Sequence, residues 1–417
     1  MRLLVVSQYF WPENFRINDL VAELVRRGHQ VTVLTGVPNY PEGRVFAQYR
    51  AEPSHFSQYE GAEVIRVPLM PRGQGGMRLM VNYLSFATSA CFVGLWKLRG
   101  RRFDAIFVYE PSPVTVGLPA VALRATKRAP LVFWVLDLWP ETLQAIGVVR
   151  SRVLLGAIGK LVAFIYRRCD LILAQSQSFI PQIKKYAGKG SRVVYFPSWA
   201  ESIFDMERVV PAVEVPVRPD SFNVMFAGNI GDAQDFPAIL AAAECLKIYS
   251  NIRWMIVGDG RMAQWVADEI GRRGLQDCVF LLGRHPVERM PAFFKHAGAL
   301  LVSLKAEPVF SMTIPGKLQS YLAAGIPVVA MLNGEGAEVV KKSRAGLACA
   351  AGDHRGLADA VLRLSEMTVK ERSDMGRNGL DVSRSQFDRS TLIDRLEEWI
   401  GQLTASGSFN AALRESR

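Results

Sequence analysis

Residues 1–36 read MRLLVVSQYFWPENFRINDLVAELVRRGHQVTVLTG. Residues 3–7 form a short apolar run rich in β-branched side chains and predict a strand. Residues 14–27 set Ile17, Leu20, Val21, Leu24 and Val25 on one face of a 3.6-residue repeat, which predicts a helix stopped by Gly28. Residues 30–35 predict a second strand. Short loops around the helix make the two strands parallel, because the helix carries the chain back to the edge where the first strand began. Working outward, strands are expected at 64–67, 105–109, 131–136, 171–174 and 193–196, with helical stretches between them. The first half therefore reads as one parallel, doubly wound sheet.

The alternation stops at MERVVPAVEVPVRPDS, residues 206–221, which holds three prolines and no helical period and predicts a linker. It then restarts, with strands expected at 223–227, 254–257, 279–282, 299–303 and 328–330 and helices at 236–249, 262–273 and 287–296. The fold class is α/β: Rossmann-like, doubly wound domains at 1–205 and 222–389, facing a cleft at the carboxyl ends of their strands. A helix near 390–403, in the C-terminal segment 390–417, is expected to pack back on the first domain. A length of 417 residues suits two cores better than one.

Cys91, Cys169, Cys245, Cys278 and Cys349 are odd in number and widely spaced, which speaks against a disulfide framework or zinc ribbon and fits a reducing cytoplasm. The opening run lacks a long apolar region and a small-residue cleavage site, so no signal peptide is expected. The net charge of +11 is one-sided. Residues 1–205 hold 25 Lys and Arg against 14 Asp and Glu, whereas the rest is balanced at 25 and 25. A basic half fits an anionic partner or a solvated basic surface. No nucleic-acid motif accompanies it. Residues 79–96 carry no charge between Arg78 and Lys97. That length approaches a membrane span, but polar residues interrupt it and it lies between two strands of one sheet. A helix of the first domain resting on a bilayer surface is the reading that fits.

The turn after the first strand has no glycines, which excludes a dinucleotide fingerprint there, and Gly258-Asp259-Gly260 lacks the third glycine. The five histidines are isolated, and there is no Asp-x-Asp, so no metal or other cofactor is expected. A diphosphate would then be met by Lys, Arg and backbone N–H groups. Phe226-Ala-Gly228-Asn229-Ile-Gly231 offers glycines through which amides can approach an anion, ahead of a helix near Phe236. Thr313-Ile-Pro315-Gly316-Lys317 reads as a helix start with Thr313 as N-cap and Pro315 in the first turn. Lys317 would sit where a cation opposes the helix dipole, which suits either an anionic ligand or a plain surface lysine. Asp137 follows a strand and reads as an acid directed at the cleft or as an N-cap. Trp139 and Trp11 read as sugar-stacking or core aromatics, with core favoured for Trp11. Arg284, after the strand VFLLG, reads as a phosphate or base contact, or as a solvated loop residue.

Several of these strings together resemble the GT-B glycosyltransferases of family 4, over about residues 1–400: QYFWPE (8–13), RINDLVAELVRRGHQVTVLTG (16–36), PNYPEG (38–43), LDLWPET (136–142), FAGNIG (226–231), VGDG (257–260) and PGKLQSYLAAGIPVVA (315–330). They are similar to the branch that builds colanic acid and O-antigen, including fucosyl- and N-acetylfucosaminyl-type transferases. The resemblance implies a retaining, metal-independent transfer from a nucleotide sugar. The family's Glu-x7-Glu pair, counted back from Gly325, falls on Met312 and Ser320, so the second Glu's grip on the nucleotide ribose is in question and Glu307 is a displaced substitute.

The resulting expectation places Lys317, Asp137 and Arg284 as catalytic residues. Gly228, Asn229, Gly231, Arg284, Pro315, Lys317 and Glu307 would bind the nucleotide sugar. Glu13, Asn14, Arg16, Asn39, Asp137 and Trp139 would bind the acceptor. The expected partners are a nucleotide-sugar donor, a lipid-linked saccharide acceptor (a polyprenyl diphosphate by resemblance) and the anionic inner face of the cell membrane, without nucleic acid. The rival readings are a nucleotide-sugar epimerase of the same fold and a catalytically inactive scaffold.

Overall fold

The structure, a computed structural model, describes residues 1–41, 43–73, 76–200 and 209–405. It forms two compact units, Met1–Phe196 together with the segment from Ser390, and Pro197–Arg389.

In the first unit the strands are β1 (Arg2–Val6), β2 (Gln30–Gly36), β3 (Gln58–Tyr59), β4 (Ala62–Val67), β5 (Ala105–Glu110), β6 (Leu131–Val135), β7 (Leu171–Ala174) and β8 (Val193–Tyr195). Their order is β3-β4-β2-β1-β5-β6-β7-β8. All neighbours are parallel except the β3–β4 pair, whose two-residue strand carries no sequence period. Helices α1 (Arg16–Arg26), α2 (Gly76–Lys97), α3 (Gly117–Lys127), α4 (Arg152–Tyr166) and α5 (Phe179–Ala187) connect the strands. α1 buries Ile17, Leu20, Val21 and Leu24, as its spacing predicts. β5, β6 and β7 are buried along their whole length, which explains their unbroken apolar runs.

In the second unit β9 (Phe222–Ala227), β10 (Ile252–Val257), β11 (Val279–Gly283), β12 (Ala299–Ser303), β13 (Val328–Met331) and β14 (Gly346–Cys349) form a parallel sheet in the order β11-β10-β9-β12-β13-β14. The helices used below are α6 (Phe236–Cys245) and α7 (Gly316–Ala323). The helix expected over 287–296 is instead a 3₁₀ turn, Val287–Arg289, and a five-residue helix, Met290–Phe294. Pro291 lies in its first turn, where it is tolerated but cannot extend a helix upstream. Of the stretch read as a linker, residues 206–208 lie outside the described residues. The remainder is seated on the second unit: Ala212 and Val215 are buried, the Ala212 N–H donates to the Ala292 carbonyl at 3.0 Å, and Glu214 pairs with Arg289.

The final helix, α8 (Arg389–Ala405), belongs with the first unit from Ser390 on. It buries Leu392, Ile393, Leu396 and Ile400. Arg27 bridges to Asp394 and Glu397, and the His29 ring also meets Glu397.

In each sheet the strand order reverses at one point, between β1 and β5 in the first and between β9 and β12 in the second. Ligands of open α/β sheets bind at such points, because the connecting loops diverge there and leave a crevice.

Candidate functional site

In the first unit the loop after β1 is organised by a carboxylate. Glu13 is 2% exposed. Its Oε1 accepts the N–H groups of Asn39 and Tyr40, both at 2.7 Å, and its Oε2 accepts that of Phe10 at 3.1 Å. Burial pushes the Glu13 carboxyl up to about 7, against the opposing pull of these three donors. Asn39 is fully buried; its side chain donates to the Val37 carbonyl and accepts the Arg72 N–H at 2.8 Å. Asn82 of α2 completes the network, accepting from Gln8 at 2.7 Å and donating to the Met70 carbonyl at 2.6 Å. Glu13 and Asn39 were expected as acceptor contacts. Their side chains instead pin the loop after β1 to the loop after β2 and are closed off from a ligand. Asn14 is exposed beside them, and Arg16 is half-buried at the start of α1.

Asp137 lies just past β6 and is half-buried. Its Oδ1 accepts the Thr142 hydroxyl at 2.5 Å, and its Oδ2 accepts the Trp139 indole N–H at 3.2 Å. It does not cap a helix: the next one, Glu141–Ala145, has Pro140 at its N-cap. Trp139 is 3% exposed and its ring tilts against Tyr83 at 6.0 Å between centroids. The expectation that Trp139 stacks on a sugar is therefore corrected: it is a core aromatic that orients Asp137. Trp11 likewise packs among His55, Phe56 and Tyr59.

Glu110, at the end of β5, is a site residue that sequence reasoning passed over. It is fully buried, and neither carboxyl oxygen has a hydrogen-bond partner among the described residues. Burial first, and then the neighbouring Asp137 charge, hold its carboxyl well above the usual carboxylate range. Burial also raises Asp137, while Thr142, Trp139 and Ser112 hydrogen bonds draw it down. Burial thus raises both carboxyls, and the three side-chain donors on Asp137 offset part of its rise. The signal available in AIFVYE (105–110) was a single acid closing an otherwise apolar strand.

In the second unit the loops after β9 and β10 pack together through their glycines. A Cβ on Gly258 would stand 1.9 Å from the Gly228 carbonyl oxygen, and one on Gly260 would stand 2.3 Å from that of Ile230. Gly228, Gly258 and Gly260 all have positive φ. The Gly228 N–H donates to the Val257 carbonyl at 2.9 Å, and the Gly231 N–H to the Gln234 side chain at 3.1 Å. These two amides, expected to face an anion, are committed to the turn itself. Asn229, between them, is exposed.

Lys317 enters this loop from α7. Pro315, not Thr313, is the N-cap; the Thr313 hydroxyl donates back to the Val309 carbonyl at 3.0 Å. Lys317 is thus the second residue of the helix. One turn on, the Tyr321 hydroxyl accepts the Ala227 N–H at 3.0 Å and donates to the Ala227 carbonyl at 3.2 Å. That double bond to the end of β9 docks the helix start against the glycine loop. Lys317 Nζ then lies 3.7 Å from the centre of the Phe226 ring, buried, with no hydrogen bond among the described residues. A Cβ on Gly228 would come within 3.1 Å of it. Burial draws the ammonium down to about 7. The aromatic face compensates only part of the lost hydration.

Glu307 is half-buried at the N-cap of the short helix Pro308–Ser311, its carbonyl closing that turn. Arg284 is exposed just beyond β11, the edge strand. Its neighbour Gly283 accepts the Gly258 N–H at 2.8 Å, which ties the end of β11 to the glycine loops. No group of three or more His, Cys, Asp or Glu suited to a metal ion occurs among the described residues.

Comparison with known proteins assigns the two units. Residues 14–199 match the family model described as glycosyl transferase 4-like domain, and residues 221–367 match glycosyl transferases group 1. A protein named for colanic acid biosynthesis glycosyl transfer, WcaI of Escherichia coli (strain K12), is 27% identical over 345 residues, covering 78% of this chain and 82% of that one. Among solved structures, Anabaena Alr3699/HepE in complex with UDP and glucose superposes with a TM-score of 0.67 at 15% identity, over 96% of this chain and 99% of that one. WaaG, a glycosyltransferase involved in lipopolysaccharide biosynthesis, superposes with a TM-score of 0.66 at 14% identity, over 96% and 99%. At that identity the two superpositions speak to the fold alone. With a glycosyl transferase 4-like domain in its first unit and a group 1 domain in its second, the chain is a glycosyltransferase of the GT-B type.

Proposed function

We propose that this glycosyltransferase moves a sugar, with retention and without a metal ion, from a nucleotide-sugar donor to a polyprenyl-diphosphate-linked glycan in the synthesis of a cell-surface polysaccharide. The observation that carries the reading is Lys317: a buried ammonium with no hydrogen bond among the described residues, set against the Phe226 ring and a glycine loop at the start of a helix. A cation there is costly in the free protein and favourable beside a diphosphate. In the reaction the bond from the anomeric carbon to the diphosphate oxygen breaks, and the acceptor hydroxyl oxygen bonds to that carbon on the same face. The hydroxyl proton passes to the departing diphosphate oxygen or to Asp137. Lys317 and the α7 N-terminus meet the growing negative charge, and Arg284 steers the anion from the rim. Glu307 stands in for the carboxylate that the family's second Glu offers the ribose and that Ser320 lacks.

A fucosyl- or N-acetylfucosaminyl-type donor is supported by the sequence strings similar to the colanic-acid and O-antigen branch and by the likeness to a protein named for colanic acid biosynthesis. The basic first half supports an acceptor presented at the inner membrane face, with the protein cytoplasmic and peripheral.

The test incubates the pure protein with a panel of nucleotide sugars, with and without membrane extract, in excess EDTA. Transfer that requires the extract and survives EDTA is the expected result. Epimerised sugar formed without acceptor would establish the epimerase reading, and inertness with every donor the scaffold reading. Activity lost to EDTA and restored by magnesium or manganese would overturn the leaving-group account.

A further inference from the structure

β4, β2, β1, β5 and β6 are successive parallel strands, so the loops that follow them leave one edge of the first unit's sheet. Two of these loops bring aromatic rings together. Tyr9 and Phe15, after β1, stack at 5.2 Å between centroids with their planes 11° apart. Tyr40, after β2, tilts against both, at 5.4 Å from Tyr9 and 5.2 Å from Phe15. Tyr9 is buried, whereas Phe15 and Tyr40 are half-buried and keep part of each ring open.

Arg72 reaches these rings from the loop after β4. Its backbone is fixed. The Arg72 N–H donates to the buried Asn39 side chain at 2.8 Å, and a Cβ on Gly43 would stand 1.9 Å from the Arg72 carbonyl oxygen, so the loops after β2 and β4 meet main chain to main chain. The guanidinium carbon lies 5.2 Å from the centre of the Tyr40 ring. The guanidinium makes no hydrogen bond and no ion pair among the described residues, and the side chain is half-buried. Unlike Lys317 it keeps an open side, where a ligand can replace water. Arg66 is the contrast: it is buried, and its guanidinium donates to the Gly36 and Trp11 carbonyls. Tyr83 of α2 connects Arg72 to Asp137. Burial holds the Tyr83 hydroxyl above its ordinary range, Arg72 draws it down and Asp137 pushes it up, so both charges act on one side chain, whose ring also packs on Trp139.

We propose that Arg72, seated on Tyr40, selects an acceptor by an anionic group, a phosphate or a carboxylate, carried beside the hydroxyl that faces Asp137. The open faces of Phe15 and Tyr40 pack on the C–H groups of the same saccharide. A guanidinium offers a planar fork of N–H donors that matches two oxygens of a phosphate or carboxylate. A ring face holds that cation without consuming its donors. A structural arginine spends them on carbonyls, as Arg66 does. The inference rests on the acceptor reading above and adds the charge of the acceptor and the residue that recognises it.

The experiment has a transfer arm and a binding arm. In the first, membrane extract is titrated as acceptor against the active donor of the nucleotide-sugar panel. Arg72→Gln should raise the extract concentration for half-maximal transfer about tenfold or more. Maximal turnover, donor KM and melting temperature should stay unchanged, since the guanidinium bonds nothing in the free protein. Arg72→Lys should recover part of the loss, and Tyr40→Leu should give a smaller rise in the same quantity. Mild acid, which frees glycans from diphosphate, and reduction of uronate carboxyls to alcohols identify the source of the charge: the treatment that removes the partner of Arg72 abolishes the difference between wild type and Arg72→Gln. A difference that survives both treatments, an unchanged half-saturating concentration, or a fall in turnover alone would overturn the proposal. The binding arm titrates Lys317→Ala protein, which lacks the second unit's buried cation, with inorganic pyrophosphate and with methyl glucuronide. One of them should bind, about tenfold more weakly once Arg72→Gln is added. Binding of neither, or binding indifferent to Arg72, would overturn the subsite. Binding that depends on Arg72, in a protein that transfers from no donor, would defeat the proposed function and leave the subsite standing.

Discussion

The loops at the strand ends of the first unit hold carboxylates and supply donors to most of them, whereas those of the second unit hold an ammonium and supply it only a ring face. Glu13 takes three backbone N–H groups and Asp137 takes a hydroxyl and an indole. Lys317 has the Phe226 ring and no hydrogen bond among the described residues. A satisfied charge stabilises a loop and is indifferent to ligand. An unsatisfied buried charge destabilises the free protein and gains when an anion arrives. On the proposed mechanism the labour divides: donors within the first unit hold Glu13 in place and leave Asp137 for the acceptor hydroxyl, while Lys317 of the second unit meets the leaving group.

The largest effect that could break this division lies at Lys317. Lys317→Ala should lower turnover on the order of a hundredfold or more, because the diphosphate gains charge in the transition state and this donor is already in place. The variant should melt no lower than the wild type. Affinity for a nucleoside diphosphate should fall as pH rises above about 7, where the free ammonium loses its proton. The same titration on Lys317→Ala should be flat over that range. Normal turnover would make Lys317 a buried lysine of no catalytic consequence, and a variant that is both inactive and unfolded would make it structural.

Asp137→Asn comes next and sharpens the other side. The amide cannot take a proton; with its oxygen kept on the Thr142 hydroxyl, it turns its nitrogen toward the Trp139 N–H. Turnover should drop roughly tenfold to a hundredfold, with KM for the donor unchanged. A change confined to donor KM would place Asp137 on the wrong substrate.

Glu13 should move stability more than chemistry. Its carboxyl is raised from 4.5 to about 7. Between these values the folded protein keeps a proton that the unfolded chain has released, so the Glu13 contribution is full below about 4.5 and is lost as pH rises to about 7. A shift of this size is worth roughly 3 kcal/mol in order of magnitude. Glu13→Gln should remove that slope from a pH series of denaturant melts. Glu13→Ala, which orphans three N–H groups, should cost about 2–4 kcal/mol. Activity of Glu13→Gln should stay within a few-fold of wild type. A hundredfold loss with intact folding would return Glu13 to the acceptor site and erase the contrast between pinned and usable acids.

Much of the architecture was legible because parallel strands buried on both faces announce themselves as apolar runs, and the helices between them keep their period. β3 and β14, two and four residues long, offered no period to read. Within the site, residue types were legible and partners were not. Asn39 and Tyr40 lie 26 and 27 residues from the carboxylate they serve, a pairing set by β1 and β2 being neighbours in the sheet. Lys317 was visible as a cation at a helix start, but its burial depends on Tyr321 gripping Ala227 across 94 residues. Glu110 escaped notice because an acid after an apolar strand ordinarily marks the surface, and only the packing of β5 between β1 and β6 buries it.

The smallest effect is expected at Arg284, and it calibrates the second unit. Unlike Lys317, Arg284 is exposed, and its guanidinium is hydrated before any ligand arrives. Exposed charge pairs contribute about 0.2–1 kcal/mol and are screened by salt. Arg284→Ala should therefore raise donor KM about two- to fivefold at low ionic strength, leave kcat near the wild-type value, and lose most of that difference at high salt. The expected pattern is that of a residue that steers the diphosphate before the reaction and does not follow its charge through it. A fall in kcat comparable to that of Lys317→Ala, persisting in high salt, would mean that Arg284 closes onto the leaving group when donor binds. The second unit would then present two engaged cations, and the contrast of one reserved ammonium with a floor of satisfied acids would no longer describe the enzyme.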